Sequence, residues 1–232
     1  MCVILICPKD IRPLIETLAL CQRANPHGGG IAWRNNGAVE WLKTNSVAEM
    51  DRLAHQADGE IVIHFRVASV GGVCNALRHP FPVSRRAGLS ARGQTRAVLF
   101  HNGTWGGYGQ ALRQAADEGY AIPGGRMSDT RAAAFLCSIY GRGFLKKCSP
   151  SRWVYFSTRG TARYGQWYRR EGIYFSNLFW MPPAAPDGGT GHQSEAAREL
   201  WDLRGTEDYW AHLNRVCPKP QQADKKDSYV SS

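Results

Sequence analysis

The chain has no apolar run near the roughly 20 residues that a membrane-spanning helix requires. Its opening, Met1 to Asp10, holds only a short apolar stretch that Pro8 and Asp10 stop. Both the basic start and the long apolar region of a secretory signal are missing, so a cytoplasmic protein is expected, with no membrane partner. No pair of cysteines is spaced as C-x-x-C. The seven present (Cys2, Cys7, Cys21, Cys74, Cys137, Cys148 and Cys217) are scattered and odd in number. That argues against a disulfide framework and a zinc ribbon, and neither a metal nor a cofactor is expected. There is no internal repeat.

What is present suits one substantial domain followed by a tail, within 232 residues. Basic residues exceed acidic ones, 29 against 19, for a net charge of +10. Such an excess favours polyanionic partners. The basic residues are spread over several segments, however: Arg85, Arg86, Arg92 and Arg96, then Lys146 and Lys147, then Arg169 and Arg170. A solvated basic surface is therefore favoured over a nucleic-acid site.

Short β runs alternate with amphipathic helices over the first three quarters. Val3 to Ile6 reads as a strand. Apolar residues at helical spacing predict a helix over 10–24, with Asp10 as N-cap and Pro13 in its first turn. Gly28-Gly29-Gly30 breaks the pattern, and Asn35-Asn36-Gly37 predicts a hairpin turn between two strands. Ser46 and Glu49 form a capping box opening a helix to about residue 56. Strands are expected over 60–66, 96–100, 152–157, 162–169 and 173–175, and helices over 105–118 and 128–140. The Gly-, Arg- and Pro-rich segment 71–93 suits a substrate cover. A Pro/Gly-rich linker over 181–193 separates the domain (2–180) from short helical segments and a flexible tail (194–232), with Trp201 and Trp210 available to dock back. The mixture indicates an α+β protein, its sheets covered by helices.

Four segments bear on chemistry. Removal of Met1 leaves Cys2 with a thiol beside a free α-amine of pKa near ~8, the arrangement of an N-terminal nucleophile; equally, Cys2 can be a simple strand residue. Arg66 ends a buried strand before Ser69 and Gly71, placed to clamp a carboxylate or to pair at the surface. Nearby, His64, His79 and Cys74 do not make a recognisable metal site. His101-Asn102-Gly103 ends another strand with a side-chain amide and an unhindered backbone N–H, the parts of an oxyanion hole or of a common turn. Asp129, after Ser128, opens a helix, where it can bind an ammonium or complement the helix dipole.

Taken in order, these pieces resemble the class II glutamine amidotransferases, the Cys-type N-terminal nucleophile hydrolases, over about residues 2–180. Asn25 to Trp33 also resembles that family's Asn-x-Asp-Gly-x-Gly stretch, with His27 where the family has Asp. After Arg66 the family often has Thr-His-Gly, where this chain has Ser69-Val70-Gly71. The resemblance implies an αββα four-layer sandwich of two antiparallel sheets between helical layers. It implies Cys2 as nucleophile, with its freed amine as general base and later acid. Asn102 and Gly103 would hold the oxyanion. Arg66 would take the substrate α-carboxylate and Asp129 its α-ammonium, with Ser69 and His101 also at the substrate. Glutamine or a similar small amide is the expected substrate, hydrolysed through a thioester, and a separate ammonia-accepting synthetase is the expected partner. The alternatives are hydrolysis of another γ-glutamyl amide, or a catalytically silent module contacting nucleic acid or protein.

Overall fold

A strand covered on both faces is largely apolar, and two strands here fit that description, with His64 the one polar residue between them. β1 (Val3–Cys7) and β4 (Ile61–Phe65) are buried throughout. The computed structural model describes residues 2–68, 73–148 and 150–181. The expected linker beyond Met181, the C-terminal segments with Trp201 and Trp210, and Ser69 lie outside the described residues.

β1 and β4 lie inside a seven-stranded sheet with β2 (Gly29–Asn35), β3 (Ala38–Thr44), β6 (Arg92–Thr95), β10 (Tyr168–Arg170) and β11 (Ile173–Phe175). Its order is β10-β11-β1-β4-β2-β3-β6. A second sheet, ordered β5-β7-β8-β9, comprises β5 (Phe81–Pro82), β7 (Ala97–Asn102), β8 (Arg152–Ser157) and β9 (Gly160–Tyr164). Every pairing in both sheets is antiparallel.

Side-chain alternation builds the layers. Val3, Leu5, Ile61, Ile63 and Phe65 pack with Leu18 and Cys21 of α1 (Ile15–Ala24) and Met50 and Ala54 of α2 (Val47–Gln56). The intervening Ile4, Ile6 and Val62 meet Val98, Phe100, Val154 and Phe156 of the second sheet. That sheet's outer face, with Leu99 and Trp153, packs on Ala115 of α3 (Tyr108–Asp117) and on Ala133, Ala134 and Cys137 of α4 (Asp129–Tyr140). The result is the four-layer αββα sandwich that the resemblance implies.

Local signals account for most boundaries. Asn36 (φ 46°) and Gly37 (φ 76°) make the two-residue turn of the β2–β3 hairpin. Ser46 Oγ accepts from Glu49 N at 3.1 Å, while the Glu49 carboxylate bonds to the Thr44 hydroxyl at 2.7 Å rather than to Ser46 N–H. The capping box is thus completed by Thr44, whose Oγ1 accepts from Ser46 N.

Three expectations change. The first helix begins at Ile15, not Asp10, because Leu14 is extended (ψ 146°) and Arg12 is drawn into other bonds. Its guanidinium donates to the carbonyls of Pro8, Ile11, Ala54, Ala57 and Gly59, tying the chain before α1 to the end of α2. The helix ends before the glycines, as expected, but β2 starts at Gly29 rather than Ile31, with no room for a Cβ at Gly29 or Gly30, where it would overlap the carbonyl oxygens of His64 and His79. The expected strand over 162–169 is split into β9 and β10 around Gly165 (φ 86°). Within segment 71–93, Asn75–Leu77 forms a 3-10 turn, and Arg131 of α4 holds the carbonyls of Ala87 and Gly124 at 2.8 Å each. Among the described residues, no helix is long and apolar enough to cross a membrane.

Candidate active site

Cys2 stands at the head of β1. Pairing of Val3 with Phe65 brings it beside the chain leaving β4. Its Sγ lies 3.4 Å from both the main-chain oxygen and the main-chain nitrogen of Val67, the residue after Arg66. The two residues after β11 fasten this corner. Asn177 Nδ2 donates to the Cys2 carbonyl at 2.6 Å, and Ser176 exchanges bonds with the main chain of Ile4 through its Oγ and its N–H. Burial raises the Cys2 thiol pKa; the Val67 N–H bond and the Arg66 charge oppose that shift, and Asp129 adds to it.

Arg66 is buried. Its N–H donates to Gly28 O at 2.7 Å and its carbonyl accepts from His27 N at 3.0 Å. His27 Nδ1 in turn accepts from Ala68 N at 2.9 Å. The stretch around His27 is therefore laced to the chain around Arg66. Gly28 (φ 85°) allows this approach, since a Cβ there would overlap the Asn45 and Arg78 side chains. Burial lowers the Arg66 pKa, and Cys2, Cys74 and Asp129 offset it.

β7 delivers His101 and Asn102 and ends in Gly103, whose φ of 141° suits glycine. Asn102 is fully buried on the inter-sheet side; its Nδ2 donates to Ser176 Oγ at 2.8 Å and its Oδ1 has no partner among the described residues. His101 points the other way and stacks on Trp153, with ring centroids 3.7 Å apart and planes 6° from parallel. Its Nδ1 lies 3.1 Å from Thr130 Oγ1 and 3.5 Å from Asp129 Oδ2. Burial lowers its pKa to about 4 despite the Asp129 charge, so the ring is neutral near pH 7. A carboxylate only accepts, so the ring proton belongs on Nδ1, leaving Nε2 as a buried acceptor without a partner.

Asp129 begins α4, behind the Ser128 N-cap, whose Oγ accepts from Arg131 N at 3.2 Å. Its two carboxylate oxygens accept from Thr130 N at 2.8 Å and Trp105 N at 3.0 Å.

Four separate segments thus bring Cys2, Arg66, His101, Gly103 and Asp129 to one pocket, which Val67, Leu77 and His79 complete. Asn102 sits behind its wall. The open volume is about 20 Å³, room for about one water. Sequence reasoning missed Ser176, Asn177, Trp105 and Thr130. The Ser-Asn pair closing an apolar strand is the signal that points to the first two.

Neither a protein-family model nor a curated protein matches the chain. Among solved structures, it is similar to the allosteric regulatory enzyme of purine biosynthesis, with a TM-score of 0.53 and 17% sequence identity over 75% of this chain. The chain spans 41% of that protein's length. At this identity the likeness speaks to fold alone: the αββα sandwich is of the N-terminal nucleophile hydrolase type.

Proposed function

We propose that the chain is a glutaminase-type amide hydrolase, or the glutaminase subunit of an amidotransferase, working through Cys2 after loss of Met1. The observation that carries this reading is the convergence of a cysteine, a buried arginine, a glycine N–H and a carboxylate on one pocket. Burial raises the Cys2 pKa, so the thiol needs a base at hand. Removal of Met1 supplies one, the α-amine of Cys2 itself.

In this reading the amine takes the thiol proton and the sulfur attacks the side-chain amide carbon. The carbonyl oxygen becomes an oxyanion facing Gly103 N–H, while Asn102, bonded to Ser176 behind the pocket wall, holds that corner in place. The tetrahedral species expels ammonia, which takes the proton held by the amine, and a thioester remains. Water then adds to the thioester, and the thiolate departs to leave glutamate. Arg66 binds the α-carboxylate, and Asp129 the α-ammonium, with the lone pairs its two present bonds leave over. His101 Nε2 accepts a second ammonium hydrogen, and Ser69 completes the substrate contacts. The ammonia passes to a separate synthetase.

The contracted pocket favours a second reading, a silent module on the same fold. Ammonia release from glutamine by the purified chain, abolished in Cys2→Ala, separates the two. No release by a chain shown to begin at Cys2, across a panel of γ-glutamyl amides, rejects the enzyme reading.

A further inference from the structure

Behind the Asn102–Gly103 corner lies a larger cavity, of about 640 Å³, well within the range that holds small ligands. The 3-10 turn Arg142–Lys147, the start of β8 and the turn between β9 and β10 form its walls. Lys146, Arg152 and Arg163 line it, and among the described residues no carboxylate does. None of the three is in an ion pair with a described residue. The Arg152 Nε is buried without a hydrogen-bond partner among the described residues. The Arg163 guanidinium lies 3.7 Å over the Tyr174 ring, which fixes its plane. Like charges around a concave space repel, and an unpartnered buried donor is costly; an anion relieves both.

The cavity adjoins the nucleophile pocket. Arg152 is the cross-strand partner of Asn102, and Ser151 Oγ lies 2.6 Å from where a Cβ of Gly103 would stand. Ser151, which lines the larger space, thus abuts Gly103, which lines the nucleophile pocket.

We propose that this cavity binds the phosphate of a small phosphate-bearing compound beside the nucleophile pocket. Two guanidinium forks and an ammonium supply the donors that a multiply charged phosphate accepts. A concave space of this size suits a single small ligand, whereas a nucleic-acid strand follows an extended groove. The inference rests on these residues and not on the reading of Cys2.

The test is calorimetric titration of the full chain with inorganic pyrophosphate, repeated with citrate and in competition with single-stranded RNA. Saturable pyrophosphate binding is expected, at least tenfold tighter than citrate. Arg152→Gln should weaken it about tenfold, and Lys146→Gln, on an exposed turn where folding is not at stake, several-fold. Cys2→Ala should bind pyrophosphate as the parent does, so failure of the glutaminase reading leaves this site standing. Absence of saturable binding, unchanged binding in Lys146→Gln and Arg152→Gln, or citrate binding as tightly would overturn the proposal. So would RNA binding that pyrophosphate does not displace.

Discussion

Lowering the pH from 7.5 to 5 tests the buried histidines. His64 lies wholly inside the sandwich, its ring 4.1 Å from that of His79, and neither of its ring nitrogens has a hydrogen-bond partner. Burial, the Arg66 charge and His101 lower its pKa to about 3. Burial lowers His101 to about 4, and His79 moves the same way, with His64, His101, Arg66 and Lys43 adding to the effect of burial. These folded values lie below the unfolded value of 6.5. Above pH 6.5 the rings are neutral in both states and cost nothing. As pH falls below 6.5 the unfolded chain takes up protons that the folded chain refuses, so stability declines until the folded pKa is reached. At pH 5 each of His64 and His101 costs about 2 kcal/mol by proton linkage, at about 1.4 kcal/mol per pH unit. Together they remove about 4 kcal/mol, a large share of a typical domain's stability. Urea denaturation at several pH values measures the loss. His64→Leu, which leaves no bonding partner stranded, should recover about 2 kcal/mol at pH 5 relative to its effect at pH 7.5. An identical pH slope in parent and variant would refute the reasoning.

Further outcomes follow from particular contacts. Gly30→Ala should lower stability by about 3 kcal/mol or more in thermal denaturation, because its Cβ would overlap the His79 carbonyl and stand 2.6 Å from that of Leu42. Arg12→Ala should cost about 2–4 kcal/mol, since five carbonyls lose a charged donor. Asn177→Ala should slow labelling of Cys2 by a glutamine-analogue electrophile about tenfold, with only a small change in melting temperature, because it releases the Cys2 carbonyl from its 2.6 Å bond.

The sequence revealed most where local chemistry decides. The Asn36-Gly37 turn, the Ser46 cap and the short, mostly apolar runs of β1 and β4 are each specified by residues within a few positions. Position depends on distant partners elsewhere. Asp10 and Pro13 read as a helix start, yet Arg12 is claimed by carbonyls some 42 to 47 residues away, and the helix waits for Ile15. Gly29 and Gly30 look like punctuation until β4 and the His79 main chain are seen pressing on them. At the site, Cys2, Arg66, His101, Gly103 and Asp129 were legible as an ordered series. Ser176 and Asn177 were not, because their role is to brace residues about 170 positions earlier, and no periodicity reports that. The geometry of Asn102 was also beyond sequence: its donor turns to Ser176, not to the pocket.

The central claim, that Cys2 is the nucleophile, is tested most directly by intact-mass measurement before and after treatment with a glutamine-analogue electrophile, followed by peptide mapping. The account predicts a chain lacking Met1 that gains one adduct, carried by Cys2 and absent in Cys2→Ala. An active chain that retains Met1, or an adduct on Cys74 or another thiol with Cys2 untouched, would contradict it.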